Sequence, residues 1–442
     1  MNALHEYARP IGVRTVELCR PLALIEEVAG YEAVRIFVLW NDCPVASLDV
    51  ANGGRPIGAA RLRDLIVERC WWPLLKLMLA REYDGATAPA TLPADVPVSI
   101  VVATYDRPDD LRNCLTRLRA QAVAQPLELV VVDNHPASGL TPPAVADFPE
   151  VVLVHEPRRG LAYGRNAGFV AARGEILVCT DDDVTTPPGW LEKLIAPFAD
   201  PDVMAVTGNT LPVELETPAQ RFYEMYGGLG RGFERRVLDA AWFRQFRSAV
   251  PTWELGATAN AAFRARIFEH AEIGLMDEAL GPGMPSGVGE DVYLFYKILK
   301  AGFMMVYEPG AYVWHRHRRD MRALRRQMYG YSKGHVAYGL TTWLRDDDRR
   351  ALVRLLTVLP PWHLRQVVRW VLARLRGRPA YPLSLVLLEI VGHLAGPWSL
   401  WRSRRRVARQ GRSGPYVAAE LRRVGAQAEL AGAALGFTRG GS

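Results

Sequence analysis

Hydrophobic positions in the middle of this chain fall into short runs, interrupted only by Ser99 and Glu128, separated by polar and glycine-rich stretches. Val98–Ala103, Leu127–Val132, Val151–Val154 and Ile176–Cys179 are each four to six residues long and rich in β-branched side chains. Runs of that length, apolar on both faces, predict strands buried in a parallel sheet. Between them the period changes. Pro108 opens a stretch in which Leu111, Cys114, Leu115 and Leu118 share one helical face, and Leu161–Ala172 also has helical character. Strands alternating with helices imply a doubly wound, mostly parallel α/β sheet. Ligands of such sheets lie beyond the carboxyl ends of the strands, so the polar residues that close them are the first place to look for chemistry.

Either side of this core the pattern differs. Val34–Leu39 and Val45–Val50 flank Asn41-Asp42 and predict a hairpin. Ala59 to Tyr83 carries Leu62, Leu65, Ile66 and Trp72 at helical spacing, giving a small α+β module over residues 1–83 with no recognisable chemistry. Asp84 to Pro97, rich in Pro, Ala and Thr, loses any period and reads as a linker. The sheet region is expected over 98–330, and a helical tail over 331–442. In the tail, Ala351–Arg376 and Pro382–Trp401 alternate long apolar stretches with arginines.

Composition sharpens this division. The 442 residues are 49% hydrophobic and 23% charged, a globular balance, and the length suggests about two or three domains. The formal charge of +7 hides an asymmetry. From Arg316 to Ser442 there are 25 Lys+Arg against 7 Asp+Glu, a net of +18, which leaves −11 on the rest of the chain. The five cysteines, Cys19, Cys43, Cys70, Cys114 and Cys179, form no CxxC pair, and no signal-peptide pattern opens the chain. Small buried cysteines in a reducing cytoplasm are therefore expected rather than a disulfide or zinc framework.

The strand ends carry a consistent set of polar residues. The first strand closes on Thr104-Tyr105-Asp106-Arg107-Pro108 and the second on Asp133-Asn134. The third leads to Arg158-Arg159-Gly160 and the helix-opening Gly164-Arg165-Asn166-Ala167-Gly168, and the fourth ends in Asp181-Asp182-Asp183. Three adjacent carboxylates repel one another, so packing gives no reason for them. A hard divalent cation gives one, while a solvated acidic loop before Pro187-Pro188 is the plain alternative.

Taken in order, Val98–Pro108, Val130–Asn134, Gly164–Gly168, Ile176–Asp183, Gly256–Arg264 and Gly289–Gly302 resemble family 2 glycosyltransferases of the GT-A fold, over about Val96 to His317. The resemblance implies a GT-A core, Rossmann-like and doubly wound, with the α+β module before it and an amphipathic helical region after it. It also implies an inverting transfer from a nucleotide-diphosphate sugar with Mn²⁺ or Mg²⁺. Thr104, Tyr105 and Arg107 match positions lining the nucleoside site, and Asp133 matches one that commonly contacts the base. Arg165 lies where a cation would approach the diphosphate. Asp181 and Asp183 match the outer acids of the Asp-x-Asp motif, facing ribose or metal, with Asp182 between them. Of Glu290-Asp291, Asp291 matches the general base and Glu290 a group orienting the acceptor. In Trp314-His315-Arg316-His317, His315 fits an additional metal ligand best and His317 stays open. Trp253 and Asn260 match the acceptor side, although Trp253 could equally be core. Gly227–Gly232 lacks the Lys-Ser/Thr of a phosphate loop and is read as a lid or loop.

Arg325–Tyr331 lacks the Trp of the processive synthases' segment, which favours a single-transfer enzyme. Trp with Arg on the amphipathic tail predicts peripheral attachment to an anionic membrane surface, here the inner face of the cell membrane. A helical pair packed on the body and a true span are the alternatives. The acceptor expected there is lipid-linked or a polysaccharide of the cell envelope. Nucleic acid is not expected, because the arginines accompany apolar runs. Two other function classes remain. A sugar-phosphate nucleotidyltransferase should carry a Gly-rich basic loop after the first strand, which Thr104–Pro108 is not. A non-catalytic membrane-associated scaffold would not need intact Asp181, Asp183 and Asp291.

Overall fold

The computed structural model describes residues 9–84, 91–377 and 380–417. At the N-terminus, β1 (Ile11–Glu17) pairs parallel with β2 (Ala33–Trp40), which pairs antiparallel with β3 (Cys43–Ala51). The hairpin between β2 and β3 turns at Asn41 and Asp42, whose φ angles of 50° and 55° are those a tight two-residue turn requires. Helix α1 (Ala59–Asp84) buries Leu62, Ile66 and Cys70 against Val34, Ile36 and Val38, and leaves Val67, Trp71, Trp72 and Met78 exposed. This small sheet is packed onto the larger one: Phe37 and Leu39 meet Leu211 and Tyr312, and Ile11 donates its N–H to the Leu215 carbonyl at 3.2 Å.

The apolar runs become the centre of the main sheet. In chain order its elements are β4 (Val98–Thr104), α2 (Pro108–Arg119), β5 (Leu127–Asp133), α3 (Thr141–Val145), β6 (Val151–His155), α4 (Leu161–Ala171), β7 (Ile176–Asp181) and β8 (Val184–Thr185). There follow α5 (Trp190–Ile195), β9 (Val203–Pro212), α6 (Pro218–Tyr226), β10 (Arg236–Leu238), α7 (Ala240–Arg244), β11 (Asn260–Arg264), α8 (Glu290–Lys300) and β12 (Met304–His315). The strand order is β10-β12-β9-β11-β7-β4-β5-β6, with β8 paired to β12. The half containing β7, β4, β5 and β6 is parallel, as the buried runs predicted. Beyond β7 the sheet changes direction, because β11 enters antiparallel between β7 and β9. Both faces are covered by large apolar clusters, one including Val101, Val132 and Phe169, the other Ile100, Val102 and Val131.

Close approach of α4 to the sheet needs Gly168. A Cβ there would clash with Val101 Cγ1 and lie 3.0 Å from Val132 Cγ2. The glycines of this stretch thus serve helix–sheet packing first, and Gly164 likewise sits over the Ala103 methyl.

Among the described residues four α-helices follow: α9 (Met321–Asp346), α10 (Arg350–Val353), α11 (Leu359–Leu375) and α12 (Leu383–Gln410). Residue 330 falls inside α9, so the helical region joins the sheet domain without a break in the chain. Helix α12 lies on α9 through small residues: a Cβ on Gly392 or Gly396 would come within 2.6 Å of Ser332 or 2.5 Å of Val336. Its opposite face exposes Leu387, Val391, Leu394, Trp398 and Trp401. After α12 the chain returns to α4, where the Tyr163 hydroxyl donates to the Gly411 carbonyl at 2.7 Å and Ser413 N–H donates to Glu278 at 2.8 Å. Among the described residues α12 is the one helix long and apolar enough to cross a membrane, and 39% of its apolar window is buried in the protein. Cys70, Cys114 and Cys179 are buried as expected, whereas Cys19 is exposed.

Candidate active site

Strand register assembles the site. Parallel pairing sets Thr104 beside Asp133, Asp133 beside His155 and Ala103 beside Asp181, so these strand ends form one row. The row carries a flat shelf. The Tyr105 ring stacks on His135 at 4.9 Å and an interplanar angle of 6°, and the Arg159 guanidinium lies 5.3 Å from the Tyr105 ring centre. Asp106, at φ 55°, holds the His135 ring through Nδ1 at 2.9 Å. Beneath the shelf Asp133 is fully buried. Its Oδ1 accepts the His135 backbone N–H at 3.0 Å, and its Oδ2 has no hydrogen-bond partner among the described residues. His155 Nδ1 lies 3.9 Å from that oxygen.

The three aspartates are held by two guanidiniums, Asp182 and Asp183 by Arg107 and Asp181 by Arg165. Asp182 is the buried one: it accepts the Thr104 hydroxyl at 2.8 Å and Arg107 Nη1 at 3.0 Å, and burial, only partly offset by Arg107, pushes its carboxyl up to about 7. Asp183 accepts Arg107 Nη1 on Oδ2 at 2.8 Å, while its Oδ1 lies 4.0 Å from His315 Nε2. Burial would raise its carboxyl, but His315 and Arg107 hold it below the usual range. Asp181 accepts Arg165 Nη2 on Oδ1 at 2.6 Å, and burial with the nearby Asp183 raises it in spite of that contact.

Arg165 is where the structure departs most from expectation. It is 2% exposed, held on α4 beneath the site instead of at a diphosphate surface. Nη2 binds Asp181, and Nη1 donates to the Thr258 hydroxyl at 2.6 Å and to Glu290 Oε1 at 3.1 Å. One guanidinium therefore ties the aspartate motif to the start of α8. Glu290 is 3% exposed, and burial together with the adjacent Asp291 raises its carboxyl. Asp291 is partly exposed, and its Oδ1 accepts the Val292 N–H at 2.7 Å.

His315 reaches the site through pairing of β12 with β8, which sets it opposite Val184, next to Asp183. Burial drives its imidazole down to about 4, so it is neutral near pH 7. His317, the open alternative, turns away: its Nε2 binds Glu224 Oε1 at 2.9 Å. Asp183 Oδ1 and His315 Nε2, 4.0 Å apart, are a carboxylate and an imidazole of the kinds Mn²⁺ accepts. Among the described residues no three such groups already converge on one point. Around them the carboxyls of Asp181, Asp182, Asp183, Glu290 and Asp291 face two guanidiniums, Arg107 and Arg165, and burial raises three of those acids, Asp181, Asp182 and Glu290, which lessens the negative charge they carry.

Other expectations need correction. Asn260 is fully buried in β11 and saturated: Oδ1 accepts the Trp190 indole N–H at 2.9 Å, and Nδ2 donates to the Asn209 and Ala311 carbonyls, both at 2.8 Å. It splices β11 to its neighbours and has no capacity left for an acceptor. Thr104 is 2% exposed and braces Asp182 instead of lining a pocket. Trp253 is half-buried against the rings of His335 (5.0 Å) and Tyr338, under the Arg354 guanidinium at 4.4 Å, a packing role. The loop from Gly227 to Gly232 is tethered by Arg231, which donates to the Gly228, Gly230 and Trp253 carbonyls. Sequence reasoning placed Arg159 among the strand-end residues but did not single out His135 or Thr258. His135 directly follows Asp133-Asn134, the one signal that could have drawn attention to it.

Residues 99–271 match the model of Glycosyl transferase family 2. The pre-mycofactocin glycosyltransferase of Mycobacterium tuberculosis is 28% identical over 268 residues, 60% of this chain and 51% of that protein. A glucosyl-dolichyl phosphate glucuronosyltransferase of Haloferax volcanii is 32% identical over 146 residues, 31% of this chain and 46% of that protein. The chain thus spans about half the length of these curated relatives. Among solved structures, the mannosyltransferase PcManGT from Pyrobaculum calidifontis, in complex with GDP-Man and Mn²⁺, is 21% identical, covers 85% of this chain and 91% of its own, and has a TM-score of 0.40. The aspartate motif, the Glu-Asp helix and the strand-edge shelf lie on one sheet edge, and through residues 99–271 the chain is similar to glycosyl transferase family 2.

Proposed function

We propose that this protein is an inverting, metal-dependent glycosyltransferase that moves a sugar from a nucleotide-diphosphate donor to an acceptor hydroxyl. The observation that carries the reading is Arg165, which joins Asp181 to Glu290 and so fixes the metal motif against the acid pair that opens α8. In this reading the base stacks at Tyr105 and His135, and an N–H of its edge meets the vacant Asp133 Oδ2. Asp181, Asp183 and His315 would hold Mn²⁺ or Mg²⁺, which when bound supplies charge neutralisation for the leaving diphosphate. Asp291 takes the proton from the acceptor hydroxyl as that oxygen attacks the anomeric carbon. Buried Glu290 positions α8 and retains a proton store beside Arg165.

Location follows from the tail. The exposed apolar faces of α11 and α12 carry Trp398 under Arg402 at 4.6 Å and Trp401 under Arg405 at 4.4 Å, a surface suited to the inner, anionic face of a cell membrane. A lipid-linked or polysaccharide acceptor would be met there. The test is a panel of UDP-, dTDP- and GDP-sugars scored first by thermal stabilisation with Mn²⁺, since a ligand that binds the native state raises its stability. Donor hydrolysis or transfer is then measured with Asp183→Ala and Asp291→Asn. Loss of at least about 100-fold in kcat from each is expected; unchanged rates would refute the assignment.

A further inference from the structure

The small N-terminal sheet has no chemistry of its own in the sequence, yet one of its side chains enters a line of contacts that ends at His315. Arg35, on β2 and 7% exposed, is clamped by Asp49 of β3 through Nε and Nη2, both at 2.8 Å. Its remaining arm, Nη1, donates to Glu224 Oε2 of α6 at 2.6 Å. Glu224 Oε1 meets His317 Nε2 at 2.9 Å, and His317 Nδ1 meets His315 Nδ1 at 3.0 Å. His315 Nε2 is then left facing Asp183. His317 is 1% exposed and its ring packs edge-on against Tyr223 at 4.7 Å, so the line is shielded from water.

The direction of each hydrogen bond can be deduced. Arg35 only donates, so Glu224 accepts at Oε2. Burial would raise the Glu224 carboxyl, but the His317 hydrogen bond and Arg35 outweigh it and hold the group ionised. A carboxylate only accepts, so His317 carries its proton on Nε2. At the Nδ1–Nδ1 contact one ring donates and the other accepts; with its one proton committed to Glu224 at Nε2, His317 is the acceptor, and the proton sits on His315 Nδ1. The lone pair of His315 is left on Nε2, the atom that faces Asp183. We propose that Arg35 and Glu224 are positioning residues that select the metal-binding tautomer of His315 through His317, so that the N-terminal module orients a ligand of the site. This rests on the reading of His315 as a metal ligand, and assigns the module a role in that site. A hydrogen bond from the far nitrogen of a ligating His is known to fix tautomer and orientation, and loss of such a partner typically costs about 10–100-fold in metal affinity.

The informative variant is Glu224→Gln, which keeps shape and reverses polarity. Because Arg35 only donates, the Gln carbonyl turns to Arg35 and its NH₂ to His317 Nε2. His317 then donates from Nδ1, and His315 is left with its proton on Nε2, where a cation cannot bind. Two readouts test this on the full chain. In metal-free protein at pH 8, labelled with ¹⁵N-histidine, long-range ¹H–¹⁵N spectra report which nitrogen of each ring is protonated. The expectation is Nδ1–H on His315 in wild type and Nε2–H in Glu224→Gln. Titration with Mn²⁺ alone, followed by the paramagnetic signal of the free ion, should give roughly 10–100-fold weaker binding for Glu224→Gln, and a smaller loss for Glu224→Ala, which removes the acceptor without reversing it. An Nε2–H on His315 or a doubly protonated His317 in wild type overturns the proposal. So does Glu224→Gln binding Mn²⁺ like wild type with an unchanged melting temperature. Should Glu224→Gln fail to fold, the wild-type spectrum and Glu224→Ala decide. A wild type that shows the expected tautomer but binds no Mn²⁺ refutes the metal reading instead and leaves the tautomer assignment standing.

Discussion

Replacing Arg165 with Met removes the guanidinium but keeps the length of the side chain, and its consequences can be worked from the contacts. Three polar partners lose their donor: Asp181 Oδ1, Glu290 Oε1 and the Thr258 hydroxyl. Removing one partner of a buried ion pair costs about 3–5 kcal/mol, because the other charge stays buried and unpaired. Two features lower that figure. The Asp181 side chain is 29% exposed and keeps some hydration, and Glu290, already raised, can take up a proton. A loss of about 2–4 kcal/mol is left, or roughly 4–16 °C in melting temperature at ~2–4 °C per kcal/mol.

The sign of the pH dependence follows from the same groups. Glu290 has a folded-state pKa above its unfolded value, so between the two the native state binds more protons than the unfolded chain. Stability from this group is complete below the unfolded pKa and declines as pH rises through the folded one. Without Arg165 that pKa rises further, so the penalty of Arg165→Met should be larger at pH 8 than at pH 5. The assay is urea denaturation at both pH values, with Arg165→Lys as a comparison. Lysine restores the charge but cannot span Asp181, Thr258 and Glu290 from one head group, so it should recover only part of the loss. A penalty equal at the two pH values, or wild-type stability for Arg165→Met at pH 8, would refute the claim that this guanidinium ties the buried acids together.

Three further outcomes are expected. Gly168→Ala places a methyl against Val101 and Val132 and should cost about 1–3 kcal/mol by overpacking, measured by urea denaturation, with a fall in kcat because α4 carries Arg165. Asn260→Leu strips partners from the Trp190 indole and the Asn209 and Ala311 carbonyls, so roughly 2–5 kcal/mol is lost while the acceptor KM of the folded fraction stays as in wild type; a raised KM would return Asn260 to the acceptor side. Trp398→Ala with Trp401→Ala should weaken flotation with phosphatidylglycerol vesicles by at least about tenfold, with binding that falls as salt rises; full binding by the double variant would place membrane attachment elsewhere.

What was legible in the sequence is what a single element decides. Val98–Ala103 and Ile176–Cys179 read as buried strands because both faces of each are apolar, and burial on both faces requires no knowledge of the neighbour. Asn41-Asp42 read as a turn because both residues tolerate positive φ. The antiparallel entry of β11 was not legible: Asn260–Arg264 is five residues of weak pattern, and its place between β7 and β9 is held by the Asn260 side chain reaching three other segments. In the site the limit has the same cause. Asp183, His315 and Asp291 were named because a resemblance carried them. Arg165 was named too, but for a surface role, because burial depends on Thr258 and Glu290, which lie far along the chain.

The asymmetry of charge can now be located. The acidic excess of the body includes five carboxylates around two guanidiniums, where repulsion would be costly if Arg165 and Arg107 did not each hold two acids. Arg165 suits this task because its fork presents Nη2 to Asp181 and Nη1 to Glu290, which a lysine point charge cannot do, whereas Arg107 meets both of its acids through Nη1. The same arginine chemistry serves a different end in the tail, where Arg402 and Arg405 cover exposed indoles instead of meeting acids. Buried arginine therefore holds negative charge together at the site, and exposed arginine presents positive charge outward on α12. One residue type accounts for both halves of the split because the two environments differ in water, not in chemistry.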